Sequence, residues 1–390
     1  MEVRTLLPEE YAAADRISRF CFHDRSAVDE AAQRGKPQSL REDWGAFAPD
    51  GTLAAHIINN HFEMNLNGGF VPMGGVGAVS TLPEFRSGGA IRQIFAHMLA
   101  ERRRQGEVVS GLYPFKHAFY RKFGYETVQS RTCYEFKPST LRGFRFDGEA
   151  KQYVPGESVE DYLALYDCFS RHYNLTVRRS AEGMRRWLLM DKPLSERKFA
   201  YLLSENGMNT AYVCFTDQYC DPAAKLVVTD LAWTEPKGLR AILGFLSRFE
   251  ADYGLIELSL PTDLNLKLLL PDPYEIDAAK LTGHYMLRAV NVPQALNTLC
   301  GKADESFTLA VSGDGILPEN NGAWRVSPDG VQPFTGTPDA EMSLNAFNQL
   351  ICGAIGLDSA LYRADVTVRA NVEALSRAFC ARPAFLMDRF

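Results

Sequence analysis

Gly75-Val76-Gly77-Ala78-Val79-Ser80-Thr81-Leu82-Pro83-Glu84-Phe85-Arg86-Ser87-Gly88-Gly89-Ala90-Ile91-Arg92-Gln93-Ile94-Phe95 is the stretch whose reading decides the fold. It begins as a run of β-branched and small residues, breaks at Pro83 and bends at a glycine pair. It then continues as an amphipathic helix, with Ile91, Ile94, Phe95, Met98 and Leu99 at three- and four-residue spacing. A strand that feeds a glycine-bearing turn and then a helix aims unpaired backbone N–H groups at whatever lies over the helix start. The positive end of the helix dipole favours a phosphate there. Gly88 and Gly89 let the backbone come close, and Arg86 adds a positive charge. From these residues alone two readings stay open, an anion cradle or a plain strand-to-helix connection.

The chain around this stretch has 390 residues, room for two or three domains. Its 46% hydrophobic and 23% charged residues are ordinary for a globular protein. A formal charge of −6 and a pI near 5.7 argue against a nucleic-acid-binding surface. No apolar run approaches the ~20 residues that span a bilayer. The opening MEVRTLLPEE turns acidic at once, unlike a signal peptide, so a cytoplasmic protein is expected. The eight cysteines form no C-x-x-C pair, and His56 and His61, five apart, suit neither one face of a helix nor one face of a strand. No metal site is expected.

Upstream, Glu2 to Leu7 reads as a strand, and Pro8-Glu9-Glu10 opens a helix that turns Tyr11, Ala14, Ile17, Phe20 and Cys21 inward. Residues 23 to 41 read as a loop. Trp44 to Phe47 and Leu53 to Ile58 form a hairpin about Pro49-Asp50-Gly51, and a further strand passes Asn67-Gly68-Gly69 into the opening stretch. Downstream of the helix come a strand at Val108 to Leu112, a helical turn through Phe119-Tyr120-Arg121-Lys122, and a strand at Thr132 to Phe136. These make a mixed-sheet α/β domain, with its crevice at the carboxyl end of the strand that ends near Thr81.

After Gly156 the same strand–turn–helix–strand order returns. Helices are expected at Val159 to Phe169 and Ala181 to Met190, then a hairpin about Glu205-Asn206-Gly207, a strand at Leu226 to Trp233, a helix from Pro236 to Ala251 and a strand at Leu255 to Leu260. At the equivalent turn stands Thr234-Glu235-Pro236-Lys237-Gly238-Leu239. Pro236 lacks an N–H and Glu235 repels an anion, so this copy is read as a degenerate duplicate. A third region begins near Met286, with helices at Val292 to Leu299, after Ser343 and at Val372 to Phe379, short strands about Pro328-Asp329-Gly330, and an apolar tail expected to dock. The domains are expected at 1–145, 146–285 and 286–390.

Arg86-Ser87-Gly88-Gly89-Ala90-Ile91 resembles the acyl-CoA signature R/Q-x-x-G-x-G/A of GCN5-related N-acetyltransferases (GNAT), with Ile91 where Gly or Ala is usual. Phe119-Tyr120-Arg121-Lys122-Phe123-Gly124-Tyr125 resembles that superfamily's Y-x-x-x-G-[FY] segment. With the three-part order and the tail ending in Phe390, the whole chain resembles the enhanced-intracellular-survival (Eis) family. The resemblance implies an α/β (α+β) fold of two tandem GNAT-type domains, the second degenerate, followed by a sterol-carrier-like α+β domain. It also implies acetyl-CoA as co-substrate, a small-molecule or peptide amine as acceptor, and a hexamer.

The chemistry follows from what acetyl transfer requires. Val79, Ser80 and Thr81 offer backbone to the thioester oxygen, while Arg86, Ser87, Gly88, Gly89, Ala90 and Ile91 hold the pyrophosphate. Tyr120 suits the acid, because a phenol near pKa ~10 is close to a thiol near ~8.5. The resemblance gives the terminal carboxylate of Phe390 as base. A carboxyl near ~3.5 facing an amine near ~10 is mismatched by roughly 9 kcal/mol, which suits it better to anchoring an ammonium. Asp24 and Asp388 are candidate pocket acids, Arg389 offsets one charge, and Phe20, Phe22 and Trp44 either line the pocket or fill the core. Two alternatives remain: a peptide or longer-chain acyl transferase, and a non-catalytic protein holding an apolar ligand in its C-terminal region.

Overall fold

The computed structural model describes residues 1–23, 40–189, 198–220, 223–300 and 305–388. Asp24, Arg389, Phe390 and nearly all of the loop expected at 23 to 41 lie outside them. In chain order the first part holds β1 (Glu2–Thr5), α1 (Tyr11–Phe22), β2 (Arg41–Phe47), β3 (Leu53–Leu66), β4 (Gly69–Thr81), α2 (Ala90–Arg104), β5 (Val109–Leu112), α3 (His117–Arg121) and β6 (Glu126–Phe136). Next come β7 (Glu149–Gln152), α4 (Glu160–His172), α5 (Ala181–Leu189), β8 (Lys198–Glu205), β9 (Met208–Cys220), β10 (Ala223–Trp233), α6 (Pro236–Leu246), β11 (Leu255–Pro261) and β12 (Ile276–Ala289). The last part holds α7 (Val292–Cys300), β13 (Phe307–Ser312), β14 (Gly322–Ser327), β15 (Gly330–Pro333), β16 (Ala340–Ser343), α8 (Leu344–Ile351), α9 (Leu357–Ala360), β17 (Val366–Val368) and α10 (Val372–Ala378). One expected strand is corrected. Asn67 (φ 56°) and Gly68 (φ 81°) form a two-residue left-handed turn that reverses the chain from β3 into β4, a geometry Asn-Gly adopts readily.

The chain divides into two compact units that are not contiguous in sequence: residues 1–128 with 284–382, and residues 129–283 with 383–388. In the first unit β1 to β5 lie in sequence order, and the C-terminal end of β12 completes the sheet by pairing antiparallel with β5. In this sheet β4 and β5 run parallel. On one face, α2 buries Ile94, Phe95, Met98 and Leu99 against Ala55, Ile57 and their neighbours. On another, Ala14 and Ile17 of α1 pack with Leu6, Phe47 and Leu53. A separate five-stranded sheet in this unit, ordered β15-β14-β13-β16-β17, carries the C-terminal region.

Glu107, at the foot of β5, is almost wholly buried. Asn59 Nδ2 donates to it at 3.2 Å, and Arg102 Nε stands 3.7 Å away. Burial pushes its carboxyl up to about 7, outweighing the lowering by Asn59 and by the Arg102 charge.

The second unit repeats the plan with the order β6-β11-β10-β9-β8-β7, β10 and β11 being parallel. β6 therefore ends in this sheet, beside β11, although by sequence it closes the first acetyltransferase-like segment. Residues 383–388 belong here too. Asn174 N–H donates to the Pro383 carbonyl at 2.9 Å, the Phe385 N–H donates to the Asn174 carbonyl at 3.1 Å, and Phe385 is buried beside Phe169 and Tyr173. The apolar tail is docked up to Asp388. At its end Arg179 lies fully buried between Asp230 (2.6 Å) and Asp388 (2.8 Å), with its guanidinium 3.8 Å from the Tyr166 ring centroid. Desolvation opposes the Arg179 charge, but the two carboxylates outweigh it and hold the guanidinium protonated.

Two outcomes follow. An unfolded glutamate titrates near 4.5, so between pH 4.5 and 7 the folded chain keeps a proton at Glu107 that the unfolded chain has lost. Stability then falls with rising pH across that window, by about 3 kcal/mol in total. Urea midpoints at pH 5 and pH 8 should differ less in Glu107→Gln than in wild type. In the second unit either change leaves Arg179 one carboxylate, but Asp230 is the more deeply buried and also accepts from the Tyr212 hydroxyl, so Asp230→Ala should cost about 3–5 kcal/mol and Asp388→Ala about 1–2 kcal/mol in the same assay.

Candidate active site

The site begins with a defect in pairing. β3 and β4 stay in register from their hairpin until Ile58 faces Gly77, and pairing resumes with His56 opposite Ser80. Ala78 and Val79 thus share a single partner position, Ile57. The extra residue is a β-bulge, with Ala78 in the left-handed region at φ 51°. Parallel pairing of β4 with β5 covers Met73–Val76 against Val109–Leu112, and among the described residues no strand joins that side of Gly77–Thr81. The two parallel strands part at their carboxyl ends and leave backbone polar groups without a ladder.

A short turn, Pro83–Phe85, leads from this strand end to the helix. Arg86 is extended, Ser87 is left-handed at φ 66°, and Gly89 caps α2 at φ 77°. The first helical bond runs from Gln93 N–H to the Gly89 carbonyl at 3.1 Å, so the N–H groups of Ala90, Ile91 and Arg92 precede it and find no carbonyl within the helix. Among the described residues no side chain caps them. A Cβ on Gly88 would stand 3.3 Å from the Phe85 carbonyl, and Gly89 faces open space. The arrangement suits an anion at the N-terminus of a fifteen-residue helix. Arg86 is exposed, with Nε 3.4 Å from the Thr81 carbonyl, so its guanidinium stands between strand end and cradle.

As α2 follows β4, so α3 follows β5, and it carries Tyr120. The Tyr120 ring is buried among Phe115, Phe119 and Tyr125, with centroids 5.4, 5.1 and 6.3 Å away. Tyr120 and Ile91 share one apolar cluster, and Val79 packs against it. Among the described residues the Tyr120 hydroxyl is tied to no backbone group. Burial raises its pKa well above that of a free phenol, so the near match of phenol and thiol expected from the sequence does not hold for Tyr120 taken by itself.

Other candidates fare differently. Trp44 is core, its indole N–H donating to Glu42 at 3.0 Å. Phe20 and Phe22 are 55% and 56% exposed, which corrects the inward placing of Phe20. Each lies roughly 90–110° around the helix from the centre of the stripe formed by Ala14, Ile17 and Cys21. Asp388 is engaged by Arg179 and by the Tyr166 hydroxyl at 3.2 Å, so its charge is already balanced within the second unit.

A polar chain behind the strand end went unread in the sequence. Arg41 donates to both oxygens of Asp43 (2.9 Å each), and Asp43 pairs with His56 Nε2 at 3.0 Å. His56 Nδ1 lies 3.4 Å from Ser18 Oγ, itself 3.5 Å from Ser80 Oγ. Burial raises the Asp43 pKa, and His56 and Arg41 overcome this, so the carboxyl titrates lower than usual. The only available signal was the two-residue spacing of Arg41 and Asp43 on one face of a strand.

In the second unit the equivalent strand also carries a bulge, at Thr229 between Val228 and Asp230. Its helix starts differently. Glu235 is the cap, Pro236 the first helical residue, and the Glu235 carboxylate pairs with Lys237 at 3.2 Å. An added Cβ at Gly238 would meet the Thr210 carbonyl at 2.5 Å, so here glycine serves helix–strand packing rather than a ligand.

Models of two GNAT acetyltransferase domains match residues 2–128 and 175–289, and a sterol carrier protein domain model matches residues 292–387. No curated protein sequence matches the chain significantly. Among solved structures, the chain is similar over 100% of both chains to a GCN5-related N-acetyltransferase from Anabaena variabilis (TM-score 0.87, 19% identity). A conserved protein of unknown function from Enterococcus faecalis, described as a probable N-acyltransferase, matches over 100% of this chain and 99% of that one (TM-score 0.86, 20% identity). Eis1 from Mycobacterium abscessus matches over 100% of both (TM-score 0.81, 22% identity).

Proposed function

We propose that this chain, in which two GNAT acetyltransferase domains precede a sterol carrier protein domain in the Eis-like order, transfers the acetyl group of acetyl-CoA to a primary amine at its first domain. The observation that carries the reading is the parting of β4 from β5 beside a helix start whose N–H groups have no cap. The N–H groups at Ser87 to Ile91, with Arg86, take the pyrophosphate, and backbone at Val79, Ser80 and Thr81 lines the thioester.

The amine nitrogen attacks the thioester carbonyl carbon, and charge gathers on its oxygen, which an N–H of the unpaired strand end stabilises. The carbon–sulfur bond then breaks. The leaving thiolate takes the hydroxyl proton of Tyr120; the amine nitrogen releases its surplus proton to solvent, and the phenolate takes one proton back from solvent, which restores the phenol. Tyr120's raised pKa makes it a poor acid toward a thiolate in water. A thiolate formed in the same dry surroundings is penalised as the phenolate is, which keeps the two within reach. The Phe390 carboxylate is assigned to the acceptor side, as base or as ammonium anchor. The same reading takes the protein as a cytoplasmic homo-hexamer, which light scattering after size-exclusion chromatography tests.

Thiol release from acetyl-CoA across a panel of amines tests the assignment. Tyr120→Phe should lower kcat by about 10²–10³-fold with little change in donor KM. Arg86→Ala should raise donor KM several-fold and leave kcat within about twofold. Removal of Phe390 should raise acceptor KM. Full activity in Tyr120→Phe removes that residue from the mechanism, and no release with any amine favours a protein that binds an apolar ligand without turnover.

A further inference from the structure

Tyr120 sits on a helix of five residues, too short to hold its own orientation. The turn after it closes on itself through the N–H groups of Phe123 and Tyr125, both donating to the Tyr120 carbonyl (2.9 and 3.3 Å), and of Gly124, donating to the Arg121 carbonyl (3.0 Å), with Gly124 at φ 81°. That leaves the outward carbonyls of the turn to be satisfied from elsewhere. The partners come from the C-terminal part of the chain, more than 160 residues on.

Arg288 Nη1 donates to the Phe123 carbonyl at 2.6 Å, Asn348 Nδ2 to that of Gly124 at 2.8 Å, Asn345 Nδ2 to that of Tyr125 at 3.3 Å and Gln349 Nε2 to that of Thr127 at 3.0 Å. Three of the four donors lie on α8 of the sterol carrier domain. They stand at i, i+3 and i+4, so one face of that helix reads one turn of backbone. The donors are themselves fixed. Asn348 Oδ1 accepts from the Ala289 N–H at 2.9 Å, and Arg288 is fully buried against Asp314 at 2.5 Å. Gly124 is required for a second reason besides its φ, since a Cβ there would stand 2.8 Å from Leu344 of α8.

We propose that α8, through Asn345, Asn348 and Gln349, is the positioning element for the Tyr120 phenol, so that the sterol carrier domain completes the acetyltransferase site rather than serving only as an appended binding module. The inference rests on the reading of Tyr120 as the acid. Helix orientation sets where a phenol on a single turn points, and proton transfer in a site of this kind is sensitive to displacements of about 1 Å.

The test is a double-mutant cycle on kcat for thiol release from acetyl-CoA, with melting temperature followed alongside. Asn348→Ala, and as a milder pair of changes on half-buried residues Asn345→Ala with Gln349→Ala, should each lower kcat at least tenfold with donor KM within twofold. In the Tyr120→Phe background the same changes should lower kcat no further. Asn348→Gln should restore part of the rate. If Tyr120→Phe is slow but the α8 variants keep wild-type kcat, the positioning role is overturned and the acid stands. If the α8 variants lose as much in the Tyr120→Phe background as in wild type, the helix supports the fold alone and the proposal also falls. If Tyr120→Phe is fully active, the assignment of the acid itself has failed.

Discussion

The constraint on which the first unit depends is that backbone N–H and C=O groups must find partners, and at one place the sheet declines to supply them. β4 pairs with β5 up to Val76, opposite Leu112 at the end of β5, and its bulge against β3 follows at Ala78 and Val79. An open strand side is costly when buried and hazardous when exposed, unless something is meant to lie along it. The uncapped start of α2 follows this opening, and Tyr120 belongs to the same apolar core as Ile91. The parting of two strands is the geometric fact, and the chemistry is arranged around it.

The two halves of the chain separate the parts of that arrangement. The second unit keeps the bulged strand and the helix that follows, so these belong to the fold. It lacks the glycine pair, and it fills the helix start with a proline and an acid that already has a lysine partner. What distinguishes the halves is a few backbone donors left unoccupied in one and removed in the other.

Much of this was legible in the sequence, and the reasons are physical. Gly88-Gly89 before an apolar 3.6-residue period marks the turn into α2, and Pro236 beside Glu235 marks a helix start of different chemistry. Tyr120 stands out because Gly124 marks the end of its helix. The bulge was not legible, since alanine is a poor marker for a left-handed residue and its cost of roughly 1–2 kcal/mol is met by tertiary structure. β12 was missed because Ile276 to Gly283 mixes Asp277, Lys280 and small residues without alternation. The chain Arg41–Asp43–His56–Ser18 joins three separate elements, and no local pattern connects them. The donors on α8 read as an ordinary amphipathic helix, because nothing in Asn345, Asn348 and Gln349 names the carbonyls they reach.

Pairing of β12 with β5 has a consequence for how the protein comes into being. The strand that closes the first sheet is made more than 150 residues after the strand it pairs with, and β6 is delivered to the other unit instead. While the ribosome is still translating the middle of the chain, the first acetyltransferase domain has an unpaired edge at β5 and an unsupported turn after Tyr120. Its assembly awaits the end of synthesis. The early half therefore spends its first seconds as a sheet with an open side, at translation rates of about 5–20 residues per second. A chain that stops before β12 and α8 therefore lacks both the strand that pairs with β5 and the donors that hold the turn after Tyr120.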